Sequence, residues 1–297
     1  MINNSSFRTL IIEKSGKLTL KDGLLIVESE DKISEFAISE LVAILINTHD
    51  LTISSALLSE LQKHAVSLIV CDEKKLPIGE MHALRANQSS AGQIIEQSTW
   101  SSRQKNDVWA KIVRQKIVNS GCLLCSIGKE DLAEEIFAYA NEVKSGDITN
   151  REAISARRYF RALFGDDFNR QQSSIVNAAL NYGYSILASK ISRYLVCAGY
   201  STALGIHHCS QYNFWNLSYD LIEPFRVFVD KCVYLHRDCE FNKEYKKLLI
   251  EVCETEVKYS CKKYTLSYAI ELYCRDVLAS VKQDDSSKIE IGNIEML

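Results

Sequence analysis

From about Val108 to Val281 the apolar residues recur at helical spacing, and this whole stretch contains a single proline, Pro224. Proline inside a helix removes a backbone hydrogen bond and clashes with the preceding turn, so its scarcity leaves room for long helices. The periodicity therefore predicts an all-α domain of six or more helices, which we place at residues 105–282.

The first eighty-odd residues follow a different pattern, in which short β-branched runs alternate with turn signals. We expect strands at the runs 9–12, 17–20, 24–27, 41–46 and 66–70. One short helix is predicted between Ser54 and His64, where the leucines have helical spacing. Lys14-Ser15-Gly16 predicts a hairpin connection, and Asp22-Gly23 is a strong turn dipeptide.

The segment 85–104 is polar and rich in small residues, and it separates the two patterns, so we predict a linker there. The predicted fold class is α+β, with a small β-rich domain at residues 1–84 followed by the larger all-α domain. Residues 283–297 are polar and acidic, and we expect a flexible tail.

Composition bears on the compartment and on the class of protein. No stretch approaches the roughly 18 apolar residues that a membrane span requires, and the polar N-terminus shows no secretory signal. We expect a cytoplasmic protein whose ten cysteines are mostly buried, reduced thiols. Cys122-x-x-Cys125 could serve a redox or zinc site, but no β-α-β context or second pair accompanies it. That favours two core thiols on a helix.

The charge is unevenly distributed along the chain. The net charge is −3, yet residues 101–200 carry 14 basic and 10 acidic side chains, a local net charge of +4. A local basic field matters more than the whole-chain sum for binding a polyanion, and the planar fork of arginine suits phosphate. The candidates for such a surface are Arg103, Lys111, Arg114, Lys116, Arg151, Arg157, Arg158 and Arg161. We expect about half of them to be ordinary solvated helix charges.

Two adjacent histidines, His207 and His208, stand out because the chain has only six. They precede the carboxylates of Asp220 and Glu223, while Glu152 lies among arginines and aromatic residues. Imidazole plus carboxylates is the ligand set of a hydrolytic or phosphoryl-transfer metal site. Glu152 would also lie on the apolar face of its helix, where a carboxylate needs a partner or a metal ion.

A purely structural interpretation fits the same residues. Thr149-x-x-Glu152 and Asp220-x-x-Glu223 both have the form of a helix capping box, and Pro224 suits a first helical turn. The carboxylates would then only satisfy unpaired backbone amides, and the protein would be a non-catalytic DNA-binding scaffold. Taken from the residues alone, both interpretations stay open.

The order of these segments adds a resemblance to a known family. The segments around Glu152, around His207-His208 and along Asp220–Arg226 resemble the CRISPR spacer-acquisition integrase family, the universal endonuclease/integrase of CRISPR adaptation. The length, the doubled histidine and the Glu-Pro-Phe-Arg ending are most similar to its type II subfamily. The resemblance covers nearly the whole chain, and its motifs are specific in combination and order.

This resemblance implies a site and a reaction. Glu152, His208 and Glu223 would be catalytic and hold Mg²⁺ or Mn²⁺, while Asp220 or His207 could assist them. The 3′-hydroxyl of a DNA fragment would attack a phosphodiester in the CRISPR repeat, and the basic side chains above become candidates for contacting DNA.

The resemblance also implies an assembly. The β-rich domain would join two copies into a homodimer. Two dimers would flank a small ferredoxin-like CRISPR adaptation subunit in a heterohexamer, and in type II systems the RNA-guided effector nuclease also takes part. Double-stranded DNA, as fragment and as repeat, is the expected substrate, and no membrane is involved.

Overall fold

A computed structural model describes residues 8–29, 32–71, 77–81, 83, 90–283 and 289–296. The described chain divides into two compact units. The first comprises the described residues up to 95 together with 192–201, and the second comprises the remainder. The fold class is α+β as predicted, with a β-rich first region and a predominantly helical second region. None of the described helices is both long and apolar enough to cross a bilayer.

The strands of the first unit form two four-stranded sheets. They are β1 (Arg8–Ile12), β2 (Gly16–Lys21), β3 (Leu24–Ser29), β4 (Lys32–Ala37), β5 (Leu41–Ile46), β6 (Leu51–Ile53), β7 (Ser67–Cys71) and β8 (Pro77–Met81). One sheet has the order β1-β5-β7-β8, in which only β8 is antiparallel to its neighbour. The other has the order β4-β3-β2-β6, in which only the pairing of β6 with β2 is parallel.

The predicted turn at Asp22-Gly23 is confirmed. Both residues have positive φ, 50° and 77°, and Lys21 pairs with Leu24 across the two-residue turn. Turns with two positive φ values match the twist of a hairpin, and Gly and Asp accept that conformation more readily than most residues.

The hairpin predicted at Lys14-Ser15-Gly16 is wrong, because β1 and β2 belong to different sheets. β1 instead pairs in parallel with β5. Gly16 lies so close to β3 that an added Cβ would be 2.1 Å from the Glu28 carbonyl oxygen. Short apolar strands of equal character can pair in several ways, and the sequence pattern does not distinguish them.

The core of the first unit draws on both sheets and on the predicted helix, α1 (Ser55–Lys63). Ser54 caps this helix by accepting a hydrogen bond from the Leu57 amide. The most buried core side chains are Leu18, Leu25, Ile44, Leu57 and Leu61. Burial of each such side chain contributes about 1.5–3 kcal/mol relative to exposure.

The other helices follow in chain order. They are α2 (Ser90–Ser98), α3 (Ser102–Ser126), α4 (Glu130–Asn141), α5 (Arg151–Phe164), α6 (Ile175–Cys197), α7 (Asn216–Leu221), α8 (Arg226–Leu235), α9 (Lys243–Glu251) and α10 (Leu266–Ser280). Within the segment predicted as a linker, residues 90–98 are therefore helical. The predicted all-α region also contains two strands, β9 (Glu256–Tyr259) and β10 (Lys262–Thr265), which form a small antiparallel sheet with β11 (Ile294–Met296) of the predicted tail.

Helix α3 packs against α4, α5 and α8 in the second unit. A capping box at its start joins Ser101 and Gln104 through both reciprocal hydrogen bonds. Gly121 allows α4 to approach closely, because a Cβ there would lie 2.5 Å from the Phe137 ring. The helix thus presents its middle turns to several neighbouring elements at once.

Two predictions about the second unit need correction. The expected flexible tail is ordered over 289–296, because Ile289 and Ile294 are buried and β11 pairs with β9. The cysteines are all free, but only three of the ten are buried, and Cys122 and Cys125 are exposed on α3 rather than in the core. The overall polar composition of the tail did not indicate that Ile289 and Ile294 are buried. Helical spacing alone did not show which face of α3 is covered.

Candidate active site

Glu152 lies in the first turn of α5, and Asp147 supplies the amide contacts there. The Asp147 carboxylate accepts hydrogen bonds from the Arg151 and Glu152 amides, both at 2.9 Å. Asn150, at the N-cap with φ of 51°, makes no side-chain cap. The capping box predicted for Thr149 and Glu152 is therefore wrong, and the Glu152 carboxylate does not cap its own helix.

Glu223 begins a 3-10 turn (Glu223–Phe225) that leads into α8. Its side chain is only 4% exposed, and Arg226 Nη2 lies 2.9 Å from its Oε1 atom. Asn119 of α3 anchors the turn by donating a 2.8 Å hydrogen bond to the Pro224 carbonyl oxygen. The sequence Glu-Pro-Phe-Arg thus buries a carboxylate together with its own counterion.

Lys116 of α3 connects the two carboxylates. Its Nζ atom is 2.6 Å from Glu152 Oε1 and 2.6 Å from Glu223 Oε2. Burial alone raises the pKa of Glu223, but the charges of Arg226 and Lys116 outweigh it and lower that pKa to about 2. Burial in turn lowers the pKa of Lys116, and Glu223 and Glu152 more than offset this, so the ammonium stays charged.

His208 is held by Asp220, which is fully buried. The histidine Nδ1 atom lies 2.6 Å from Asp220 Oδ1 and, as the donor to a carboxylate, leaves Nε2 available for a ligand. This hydrogen bond is the main cause that raises the pKa of His208, against burial, with Glu223 and Glu152 adding to the shift. The same carboxylate group accepts hydrogen bonds from the backbone amides of Ile206, His207 and His208.

Asp220 therefore organises the loop before it and does not cap a helix with Glu223, so the second predicted capping box is also wrong. Gly205 allows this close approach, because a Cβ there would lie 2.2 Å from the His208 carbonyl oxygen and 2.8 Å from Asp220 Oδ2. His207 has a different environment from His208, since its ring stacks on the buried Trp109 at a centroid distance of 4.3 Å.

A cavity of about 250 Å³ adjoins the carboxylates and is lined in part by Lys116, Glu152, Glu223 and Arg226. Deeper in its wall, Asp230 accepts hydrogen bonds from the Tyr159 and Tyr184 hydroxyls, the former at 2.9 Å. Burial raises the pKa of Asp230 to about 6, although both hydroxyls act in the opposite direction.

Sequence reasoning missed Asp230. A single acidic residue inside the apolar run Val227-Phe228-Val229-Asp230 of α8 was the available signal, because an isolated carboxylate on a buried face needs partners.

The donor set suits a hard divalent cation, although the groups are not assembled around one. Among the described residues, no three His, Cys, Asp or Glu side chains lie close enough together to hold a metal ion. The Lys116 ammonium lies at the carboxylate oxygens instead. Glu223 Oε2 is buried and has this ionic contact but no hydrogen bond of good geometry. The carboxylates of Glu152 and Glu223, together with the His208 ring that Asp220 orients, are ligands of the kind that Mg²⁺ or Mn²⁺ accepts.

The eight predicted basic side chains differ in their surroundings. Lys116 is not on an open surface, Lys111 donates to the Ile289 carbonyl oxygen, and Arg114 donates to those of Ala140 and Val143. Three arginines form ion pairs: Arg103 with Asp107, Arg151 with Glu142 and Arg158 with Glu135. Arg157 and Arg161 are exposed and make no ion pair with another described residue.

The loop that follows His208 presents two exposed aromatic side chains, Tyr212 and Phe214, with 86% and 72% of their surface accessible. Asn216 braces this loop by donating to the carbonyl oxygens of Ala203 and Ser210. Between Arg193 and Asp220 the chain contains no Asp, Glu, Lys or Arg. The loop that follows His208 therefore carries exposed aromatic rings and no acidic, lysine or arginine side chain.

Solved structures share this fold. The chain superimposes on a casposase bound to integration product with a TM-score of 0.76, at 19% identity, over 95% of this chain and 94% of that one. It superimposes on a chain of a Cas6-RT-Cas1–Cas2 complex with a TM-score of 0.78, at 18% identity, over 99% of this chain and 37% of that one. The β-rich region followed by a predominantly helical region is thus a fold that these solved structures share.

The family model for CRISPR associated protein Cas1 matches residues 10–244, which is most of the chain. The CRISPR-associated endonuclease Cas1 of Neisseria meningitidis serogroup C is 31% identical over 294 residues, covering 97% of both chains. The chain therefore belongs to the Cas1 family.

Proposed function

We propose that this chain is a metal-dependent DNA endonuclease and integrase of CRISPR adaptation. It would insert short foreign DNA fragments into the CRISPR repeat array by transesterification from a fragment 3′-hydroxyl. The observation that carries the proposal is the pairing of Glu152 and Glu223 through a shared cation beside a histidine fixed by a buried carboxylate. Membership of the Cas1 family and the endonuclease relative in Neisseria support it.

In this proposal Glu152, Glu223 and His208 would hold Mg²⁺ or Mn²⁺. A bound ion would supply a Lewis acid that polarises the scissile phosphodiester, favours loss of the proton from the attacking hydroxyl and stabilises the leaving 3′-oxygen. Asp220 keeps the histidine ring in one orientation and one tautomer, and Arg226 keeps Glu223 ionised. Water in place of the hydroxyl would give DNA cleavage at the same site.

DNA would be held mainly through its backbone, which makes binding salt-dependent and tolerant of sequence. Arg157 and Arg161 are the predicted cations best placed to contact phosphates, because they are exposed and not engaged with a carboxylate among the described residues. The rings of Tyr212 and Phe214 would offer uncharged faces to bases near the reacting strand.

The partners form part of the same proposal. The β-rich region would join two copies as a homodimer, and two dimers would assemble around the small adaptation subunit as a heterohexamer. One solved neighbour is a Cas6-RT-Cas1–Cas2 complex, which supports partnership with such a subunit. The resemblance to the type II subfamily adds the RNA-guided effector nuclease during acquisition.

A strand-transfer assay on a plasmid with a CRISPR repeat tests the function, using fragment DNA, the adaptation subunit and Mn²⁺ or Mg²⁺. Wild type should insert the fragment only with metal, His208→Ala should not insert it, and Cys125→Ser should behave as wild type. Insertion by His208→Ala at the wild-type rate would remove this histidine from the site. DNA binding without insertion by wild type would favour a scaffold, and loss in Cys125→Ser alone would favour thiol chemistry.

A further inference from the structure

Lys116 lies between two carboxylates, in a more protected setting than a surface ion pair. Its ammonium is 2.6 Å from an oxygen of Glu152 and 2.6 Å from an oxygen of Glu223. The lysine side chain is 18% exposed and the Glu223 side chain 4% exposed, so water and salt screen these contacts less than at an open surface. The lysine therefore already supplies a cation that brings the two carboxylates together.

The charges of this group balance without a metal ion. Glu152 and Glu223 carry two negative charges, while Lys116 and Arg226 carry two positive ones within ion-pair distance. Burying charge is costly unless it is compensated, and a divalent ion added to the same oxygens would leave two uncompensated positive charges. The ammonium and the ion therefore compete for the same oxygens.

We propose that Lys116 is an internal cation that competes with the divalent ion for Glu152 and Glu223. A DNA phosphate entering the adjoining cavity draws the ammonium away, so the protein binds the ion tightly only beside DNA. This inference rests on the proposed function, because it concerns the metal site assigned there. This role differs from that of a basic side chain that only contacts the DNA backbone.

The cavity beside Lys116 offers a place for the displaced ammonium. Lys116 and Arg170 both line the cavity of about 250 Å³, so an ammonium that leaves the carboxylates stays beside a second positive charge that also favours phosphate. Helix α3 is held at this point, since Asn119 donates to the Pro224 carbonyl oxygen. A lysine ammonium is a compact point charge on a flexible four-carbon stem, which suits such a movement.

The test is Mn²⁺ binding to the purified full-length protein without DNA, measured by electron paramagnetic resonance of the free ion. Lys116→Met keeps the apolar stem and removes the charge, and Lys247→Met on the exposed side of α9 is the matched control. Lys116→Met should bind Mn²⁺ about tenfold more tightly than wild type, and the control should match wild type. Equal or weaker binding by Lys116→Met would contradict the competition.

The folding of the variant is checked by thermal unfolding in chelator and in Mn²⁺. Lys116→Met leaves the carboxylates less well compensated, so its melting temperature should fall in chelator and recover with Mn²⁺ by more than that of wild type. Where the variant does not fold in chelator, Lys116→Gln replaces it in the binding comparison, because its amide still donates a hydrogen bond. The same increase in Mn²⁺ affinity is expected.

A short DNA duplex added to the binding experiment tests the coupling to DNA. Wild type should gain about tenfold in Mn²⁺ affinity, whereas Lys116→Met, which has no ammonium to displace, should gain much less. Equal gains in the two proteins would show that DNA acts on the metal site by another route and would overturn this part of the inference.

Glu152→Gln separates failure of the inference from failure of the proposed function. Wild-type Mn²⁺ affinity in Glu152→Gln would mean that this pair is not the metal site, and the proposed function would fail. Lost Mn²⁺ binding in Glu152→Gln together with an unchanged Lys116→Met would overturn the competition alone.

Discussion

Asp220 and Glu223 lie three residues apart in the sequence, yet their carboxylates have different partners. Asp220 is surrounded by three backbone amides and the His208 ring, whereas Glu223 faces the cations of Arg226 and Lys116. A carboxylate whose acceptor sites are filled by its own loop holds that loop in place. A carboxylate paired only with cations can exchange one of them for a metal ion, which is the property that a metal ligand needs.

Asp220→Asn should therefore destabilise the protein more than its conservative shape suggests. An amide nitrogen would face amide donors, so buried charge-assisted hydrogen bonds would be lost at a cost of about 2–4 kcal/mol. Chemical denaturation measures this loss, and Asp238→Asn, at a side chain that is 89% exposed, is the control. A loss for Asp220→Asn no larger than for the control would contradict the assigned role.

Asp230 provides a pH-dependent prediction. Its folded-state pKa of about 6 exceeds the ordinary 3.8, so the folded protein holds this proton more tightly than the unfolded chain. The associated stability is present below about pH 4 and is lost as the pH rises through 6, a change of about 3 kcal/mol. The free energy of unfolding of wild type minus that of Asp230→Asn should fall over this range. A constant difference would contradict the raised pKa of this buried carboxyl.

At the level of secondary structure, the site depends on how three short segments are terminated and held: the start of α5, the 3-10 turn before α8 and the loop that carries His208. Asp147 starts α5, Asn119 of α3 fixes the 3-10 turn before α8, and Gly205 permits the loop that carries His208 to close on Asp220. Each of these contacts lies at or beside the end of a helix, turn or loop. The geometry of the site is therefore set by turns and caps as much as by helix packing.

Gly205→Ala should displace this loop, since its Cβ would overlap the His208 carbonyl oxygen at 2.2 Å. We expect a lower melting temperature and loss of DNA cleavage. Gly92→Ala is the matched control, because a Cβ there meets nothing within 4 Å and alanine in α2 should add up to about 1 kcal/mol of stability. Wild-type cleavage and stability in Gly205→Ala would show that the loop does not need the glycine.

The elements and the site differ in how far the sequence predicts them. The turn at Asp22-Gly23 and the helix after Ser54 follow from local chemistry, and both are confirmed. The pairing of β1 with β5 depends on which apolar strands meet in space, which local patterns do not encode. The chemistry around Glu152 and Glu223 could be proposed from residue types, but Lys116 is 36 residues from Glu152, and no spacing rule connects them.

At the scale of the whole molecule, the net charge of −3 conceals a basic middle third. Several basic side chains in this third already form ion pairs or hydrogen bonds within the protein, so the number of basic residues overstates the positive charge available to DNA. The local basic region lies in the same part of the sequence as Glu152 and Lys116 of the candidate site. The role proposed for Lys116 couples the binding of metal at that site to the binding of DNA.

Removing exposed cations should reduce the salt dependence of DNA binding. Arg157→Gln together with Arg161→Gln should lower the slope of log K against log salt concentration by about 2, because two phosphate contacts are lost. Arg158→Gln removes an arginine that is paired with Glu135 at 2.9 Å and should change the slope less. Fluorescence anisotropy at several salt concentrations gives the slopes. An unchanged slope in the double variant would exclude these two arginines from the interface.

The rate of metal-dependent DNA cleavage by Glu152→Gln decides whether Glu152 belongs to a catalytic cation site. Glu142→Gln, which loses only the ion pair with Arg151, is the control. We predict that Glu152→Gln loses at least about 10²-fold in rate, roughly 3 kcal/mol of transition-state stabilisation, while remaining folded. A wild-type rate with a lowered melting temperature would contradict this assignment and return Glu152 to a purely structural role.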